Sequence, residues 1–346
     1  MNNAKDIIVV VDYHAENLEV RTLNCATGEE RRSNCKTTRA NILRLVEEAV
    51  AEAAGTGGTV RFIMESTTGW ARVKDLIGGR VEFILANVLQ MPLPPKARRR
   101  KTDKIDTARL LREELNGSLP RAYQPTAWWR QVRRLVDSRE DLVRRQTAIK
   151  NWINSLLHHE TWADRTGLWS DKGLERLAKI DWPASDRFVL DLKLEQLRQI
   201  EPMIQRVEQQ MQQVQDSWPE AQWVDAVRGI GMVTAVSVLA HIGPIERFRS
   251  AESLIDYAGL APGVRGSDRT VHNGRIGGGG TDSHLRYLLI EATTWMCQIP
   301  RYRPAYERTA KKRGKNIARI VVARMFLRSL YKMLRDKVQF NQAPAA

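Results

Sequence analysis

Residues Ile7-Ile8-Val9-Val10-Val11 are five consecutive β-branched positions set between Asp6 and Asp12. A run with no polar side offers nothing to water, so it predicts a strand covered on both faces, as in an α/β domain. Leu18 to Leu23 alternates apolar and polar residues, and Arg31 to Lys36 is a weaker third strand after a turn at Gly28, which predicts an antiparallel meander. A helix follows, with Thr38 as N-cap, a stripe of Ile42, Leu43, Leu45, Val46 and Val50, and Gly55 as its end. Val60 to Met64 and Val81 to Leu85 read as two more strands, separated by a short helix beginning near Thr68.

Three strands, a helix, a strand, a helix and a strand is the order of the ribonuclease H type of α/β fold. Beyond Pro92, Pro94 and Pro95 the pattern changes to long helices. Trp128 to Leu157 is amphipathic and basic, with Val132, Leu135, Val136, Leu142, Val143, Ile149, Ile153 and Leu156 on one side. Leu190 to Val214 carries apolar residues near heptad spacing, which predicts a short coiled coil or helical hairpin, kinked at Pro202 and ended by Pro219. From Val224 the chain reads as helical again, interrupted by Gly274 to Gly280. The expected domains are 1–150, α/β; 151–220, helical linker and coiled coil; and 221–346, mainly helical.

The 346 residues hold 55 Lys and Arg against 40 Asp and Glu, a net charge of +15, so a polyanionic partner is the first inference. The charge is clustered: Lys96 to Arg109 holds seven basic residues against Asp103 and Asp106, and Arg301 to Lys337 holds 13 against Glu307 and Asp336. Solvated helix faces would give the same clusters, but neither stretch has the aromatic or Leu-rich face of a membrane anchor, which favours nucleic acid over anionic lipid. No stretch has the length of a membrane span, and the first residues lack the pattern of a signal peptide, so a cytoplasmic protein is expected. Cys25, Cys35 and Cys297 have no CxxC spacing and predict neither a disulfide framework nor a zinc site.

Asp12 ends the first strand, Glu65 ends the fourth, and Asp103 and Asp106 lie three apart at a helix start, on one helical face. Four carboxylates so placed can converge, and like-charge repulsion then calls for cations between their oxygens. Two Mg²⁺ ions about 4 Å apart would clamp a phosphodiester for in-line displacement. Each acid taken alone is equally well a cap or a surface charge.

Val9-Val10-Val11-Asp12, Ile63-Met64-Glu65-Ser66-Thr67 and Arg100-Lys101-Thr102-Asp103-Lys104-Ile105-Asp106 resemble the N-terminal RuvC-like DEDD domain of the insertion sequence 110/1111 family of transposases. Val227-Arg228-Gly229-Ile230-Gly231-Met232-Val233-Thr234-Ala235, Ile255-Asp256-Tyr257-Ala258-Gly259-Leu260-Ala261-Pro262, Gly274-Arg275-Ile276 and Leu285-Arg286 are similar to its second, transposase domain. The motifs follow the family's order along nearly the whole chain. The chain departs from the pattern at Thr107, where an alanine is usual, and at Gly277 to Gly280, which replace a polar or basic stretch and leave open which cation supports the loop.

Arg228-Gly229-Ile230-Gly231 before an alanine-rich helix reads as a helix-hairpin-helix, whose glycines let a phosphate approach the helix amides, or as a plain helix-to-helix turn. Gly263 to Thr270 reads as a loop with one exposed serine, Ser267, for which turn chemistry is the ordinary role. The resemblance implies more, because the family's nucleophilic serine lies five residues after the proline of its Gly-Leu-x-Pro segment, the position of Ser267 here. Arg265, Arg269 and Arg275 could hold the scissile phosphate, and His272 is a candidate proton acceptor. Lys96, Arg98, Arg99, Arg100, Lys101, Lys311, Lys312 and Arg313 are the expected backbone-phosphate contacts. His158 and His159 face different sides of a helix, and His241, His272 and His284 have no metal-ligand spacing. Cys297 and the tryptophans Trp128, Trp129, Trp152 and Trp162 read as helix packing rather than chemistry.

The resemblance implies a DNA recombinase in which Ser267 forms a phosphoserine while the four carboxylates hold Mg²⁺, acting on target and donor DNA. It also implies guidance by a noncoding bridge RNA, and a tetramer built as a dimer of dimers. Two other readings fit the residues: a metal-dependent structure-specific nuclease of the junction-resolvase kind, and a non-enzymatic nucleic-acid-binding protein.

Overall fold

The structure is a computed structural model and describes residues 4–91, 103–159, 165–267, 270–277 and 281–340, with backbone alone at 103–105, 159, 264–267, 270–273 and 275. Pro92, Pro94 and Pro95, the basic residues Lys96 to Lys101, Trp162, Arg269 and Gly278 to Gly280 lie outside the described residues. The chain divides into two compact units, Met1–Gln124 and Pro125–Ala346.

The first unit is a mixed α/β layer. Its strands β1 (Ile7–Tyr13), β2 (Asn17–Asn24), β3 (Glu30–Lys36), β4 (Val60–Glu65) and β5 (Glu82–Ala86) lie in the order β3-β2-β1-β4-β5. β1 runs antiparallel to β2 and parallel to β4, so the β-branched run sits at the centre of the sheet. Alternation divides that run between two cores. Ile7, Val9 and Val11 join Phe62 and Met64 against helices α1 (Arg39–Thr56) and α2 (Trp70–Ile77). Ile8, Val10, Ile63 and Ile84 meet Leu110 and Leu111 of α3 (Asp103–Leu115).

The expected strand and helix order is therefore observed, with corrections at element ends. Thr38 caps α1 by accepting the Asn41 amide, but α1 runs past Gly55 to Thr56, and Gly57 ends it at φ 69°. The short helix α2 begins at Trp70, two residues after Thr68. Two buried arginines tie α3 to the sheet. Arg61 on β4 pairs with Glu114 at 2.5 Å and Asp6 at 3.4 Å, and Arg21 on β2 pairs with Glu30 and donates to the Thr107 hydroxyl at 3.5 Å. The Thr107 side chain thus receives a donor that alanine would leave without this acceptor.

The second unit is mostly helical. Helices α4 (Ala127–His159) and α6 (Ala184–Asp216), of 33 residues each and about 50 Å long, pack together, with Arg139 paired to Glu208 at 2.9 Å between them. α6 continues through Pro202. The remaining helices are α5 (Asp171–Ala178), α7 (Pro219–Asp225), α8 (Met232–Ile242), α9 (Ala251–Tyr257), α10 (Ser283–Met296), α11 (Arg303–Arg313) and α12 (Lys315–Asp336). Val322, Phe326 and Leu330 of α12 are fully buried at the centre of this core. Trp128, Trp129 and Trp218 form a T-shaped cluster with ring centroids 4.8–5.1 Å apart, and Cys297 is buried, both as packing.

One expectation changes in kind. The segment read as a loop around Ser267 forms an antiparallel ribbon, β6 (Pro262–Ser267) and β7 (Thr270–Ile276). The β-branched residues Val264, Thr270, Val271 and Ile276 favour extended backbone, a signal masked by the glycines between them. No described helix is long and apolar enough to cross a membrane.

Candidate functional site

β1 and β4 are parallel neighbours in register from Ile7 opposite Val60 to Val11 opposite Met64, so Asp12 and Glu65 follow next on adjacent strands at the same sheet edge. Asp12 is 8% exposed, and its Oδ2 lies 3.3 Å from His14 Nε2. Helix α3, which packs on β1 and β2, starts at Asp103 and carries Asp106 in its first turn. Topology thus brings three separate segments to one end of the first unit. Among the described residues the carboxylates of Asp12, Glu65 and Asp106 do not close into a group with ligand atoms within 4.8 Å of one another.

In the second unit, the β6–β7 ribbon pairs Ser267 with Thr270 and Arg265 with His272, in alternate rungs. Arg286 of α10, a residue not singled out from the sequence as a site residue, supports its root. Gly277 donates its amide to the Gly259 carbonyl at 3.0 Å, and a Cβ at Gly259 or Gly277 would stand 2.4 or 2.9 Å from Arg286 Nη1. Both glycines have positive φ, so the guanidinium occupies space that any other residue type would take. This answers which cation lies beside the glycine-rich segment. Arg286 was hidden because 27 residues separate it from Gly259.

The turn from α7 to α8 is shaped by two glycines. Gly229 stands at φ 93°, and a Cβ there would be 2.7 Å from Trp295 Cβ. Gly231 is the N-cap of α8 and supplies no side chain, so no side-chain cap covers the first amides. Arg228 beside it donates to Gln298 at 2.9 Å. Lys311, Lys312 and Arg313 are exposed in the last turn of α11, where the helix dipole also favours cations.

A histidine cluster contradicts the expectation drawn from spacing. His241 on α8 and His284 on α10 have ring centroids 4.8 Å apart, and with Glu140 on α4 they form a group whose ligand atoms all lie within 4.8 Å of one another. Asp282 caps α10 by accepting the Leu285 amide at 2.9 Å, and its other oxygen is 2.8 Å from His241 Nδ1. Burial raises the Asp282 pKa, but the hydrogen bond from His241, the His241 charge, the Leu285 amide and Arg133 outweigh it and hold the carboxyl at about 2. Burial, with the adjacent His241, lowers the His284 pKa to about 4. Sequence spacing missed this group because a hundred residues separate Glu140 from His241 and only tertiary packing joins them.

Two family models match the chain: "Transposase", of the DEDD type, over residues 9–160, and "Transposase IS116/IS110/IS902 family" over residues 221–310. The chain belongs to the IS110 family of transposases. Curated relatives agree. The chain is 30% identical over 132 residues to "Insertion element IS110 uncharacterized 43.6 kDa protein" of Streptomyces coelicolor, covering 38% of this chain and 32% of that one. It is 24% identical to "Transposase for insertion sequence element IS1111A" of Coxiella burnetii, over 49% and 47% of the two chains. It is 27% identical to "Insertion element IS116 uncharacterized 44.8 kDa protein" of Streptomyces clavuligerus, over 70% and 62%. The matches thus span from a third to under two thirds of these relatives' lengths. Asp12, Glu65, Asp103 and Asp106 fall within the first matched segment of this IS110-family chain, and Ser267, Arg286 and both clustered histidines within the second.

Proposed function

We propose that this chain is a DNA recombinase that excises and inserts a mobile element, with a ribonuclease H-type carboxylate centre in its first unit and a nucleophilic serine in its second. The observation that supports this reading is the parallel register of β1 and β4, which leaves Asp12 and Glu65 at adjacent strand ends, together with the helix packed on β1 that opens with Asp103 and Asp106, in a transposase-family chain. This oxygen-only donor set, with Asp12 buried at a strand end, fits a hard cation such as Mg²⁺, which would offset the carboxylates' repulsion and polarise a phosphodiester.

In this reading Ser267 loses its proton, its Oγ forms a bond to phosphorus, and the bond from phosphorus to one DNA oxygen breaks, leaving a phosphoserine. His272, two rungs along the ribbon, is the candidate acceptor of that proton. Arg265, Arg269 and Arg275 hold the scissile phosphate and balance the charge that grows in the transition state. The uncapped start of α8 behind Gly229 and Gly231 serves as a helix-hairpin-helix contact to the nucleic-acid backbone.

Lys96 to Lys101 and Lys311 to Arg313 bind phosphates without reading bases, so specificity is delegated to pairing with a noncoding guide RNA. α4 and α6 act as a coiled-coil segment that assembles a tetramer, in which the carboxylate centre of one subunit serves the serine of another. The work is done on DNA in the cytoplasm.

The deciding experiment is denaturing electrophoresis of reactions with labelled DNA and Mg²⁺. A covalent protein–DNA adduct that maps to Ser267 and is absent in Ser267→Ala is expected. Metal-dependent cutting without an adduct would replace this reading with a structure-specific nuclease. Tight binding with neither would leave a non-enzymatic binding protein.

A further inference from the structure

Three helices of the second unit each bring one ligand-bearing side chain to a common point: Glu140 from α4, His241 from α8 and His284 from α10. His284 Nε2 faces Glu140 Oε1, and the two imidazoles are tilted by 40° with centroids 4.8 Å apart. His241 Nε2 is buried without a hydrogen-bond partner, in a side chain only 13% exposed. A buried ring nitrogen left unpaired is costly unless something else takes its lone pair.

The other nitrogen of His241 shows what that something is. The Asp282 carboxylate accepts from Nδ1 at 2.8 Å, so in the neutral imidazole, the form that binds a metal, the ring proton sits on Nδ1 and Nε2 keeps the lone pair on the side of the cluster. Asp282 is itself fixed twice over, by the Leu285 amide at 2.9 Å and the Tyr257 hydroxyl at 3.3 Å. A carboxylate behind a histidine, with the far nitrogen facing further ligands, is the arrangement that orients histidines on metals. Arg133 also donates to the Ala240 and His241 carbonyls at 2.8 and 2.9 Å, so the end of α8 is held in place from α4.

We propose that Glu140, His241 and His284 bind one divalent transition-metal cation of the zinc type. Two imidazoles and one carboxylate suit zinc, and bond lengths of about 2.0–2.2 Å need only small side-chain shifts to close ligand atoms now within 4.8 Å. The cation joins α4, α8 and the first turn of α10, where His284 lies eight residues beyond Ile276, the last residue of β7. Its place is structural: it ties the helix that follows the Ser267 ribbon to α4, one of the two longest helices of the unit, and to α8. Three protein ligands leave a fourth tetrahedral position for a water. This site is separate from the oxygen-only carboxylate centre and does not depend on the recombinase reading.

The test uses the full chain without a histidine tag, stripped with a chelator and reloaded with Zn²⁺ or Co²⁺ alone. Elemental analysis is expected to show about one Zn²⁺ per chain, and Co²⁺ to give visible ligand-field bands of a low-coordinate nitrogen–oxygen site. Glu140→Gln conserves volume at a partly exposed position, so it folds and should lose the bands, as should His241→Ala and His284→Gln. Asp282→Asn should weaken binding roughly 10- to 100-fold. Asp12→Ala, in the other unit, should keep the cation in full. A folded wild-type chain that takes up neither metal stoichiometrically overturns the proposal. Undiminished uptake in Glu140→Gln and His284→Gln, or loss of uptake in Asp12→Ala, does so as well.

Discussion

Two kinds of buried charge separate cleanly at the level of single residues. Asp12 follows the β1–β4 register at a strand end, as Glu65 does, and in the proposed function it holds metal, so Asp12→Ala or Asp106→Ala is expected to abolish strand cleavage while leaving RNA binding largely intact. Cleavage assays and gel shifts on the same variants check this, and full activity of Asp106→Ala with Mg²⁺ would remove that residue from the metal site. Arg61 has a structural use instead. It lies with Glu114 and Asp6, all 4–6% exposed, and Arg61→Met would remove the buried cation that the two carboxylates share, with Arg121 3.7 Å from Glu114 remaining. Breaking a buried pair from one side costs about 3–5 kcal/mol. Urea denaturation should therefore show a lowered midpoint with an unchanged slope.

Among the elements, the turn between α7 and α8 is the most constrained by shape. Gly229 combines φ 93° with a Cβ position 2.7 Å from Trp295 Cβ, so an alanine meets both backbone strain and the packed wall of α10. Gly229→Ala is expected to lower stability by roughly 1–3 kcal/mol. Thermal unfolding followed by circular dichroism measures it, and a shift below about a degree would show that the turn relaxes freely. The β6–β7 ribbon is constrained differently, since two strands alone are marginal in water and need support at their root. Arg286 between Gly259 and Gly277 is that support, alongside the Asp282 cap of α10.

For the molecule as a whole, the proposed function makes phosphate contact the main use of the +15 net charge. Replacing Lys311, Lys312 and Arg313 with glutamine should weaken binding of all sequences alike and lower the slope of log K against log salt by about one unit per lost phosphate contact. Filter binding over a salt series checks this. Loss confined to one base position would mean that α11 reads sequence rather than phosphate.

The local signals in the sequence were strong wherever one segment sufficed. The run Ile7 to Val11 determined a central two-faced strand, the Thr38 cap began α1, and the i,i+3 pair Asp103 and Asp106 opened α3. Periodicity and capping act over one or two helical turns, so a single chain segment carries their whole content. The motif order, a property of the linear chain, was enough to indicate the transposase family. Only the tertiary structure decided that Arg286 lies under the ribbon, that Arg21 donates to Thr107, and that Glu140, His241 and His284 meet. Those contacts join residues 9 to 144 positions apart, and the packing of helices on a sheet or on each other, rather than any local preference, sets which side chains face one another.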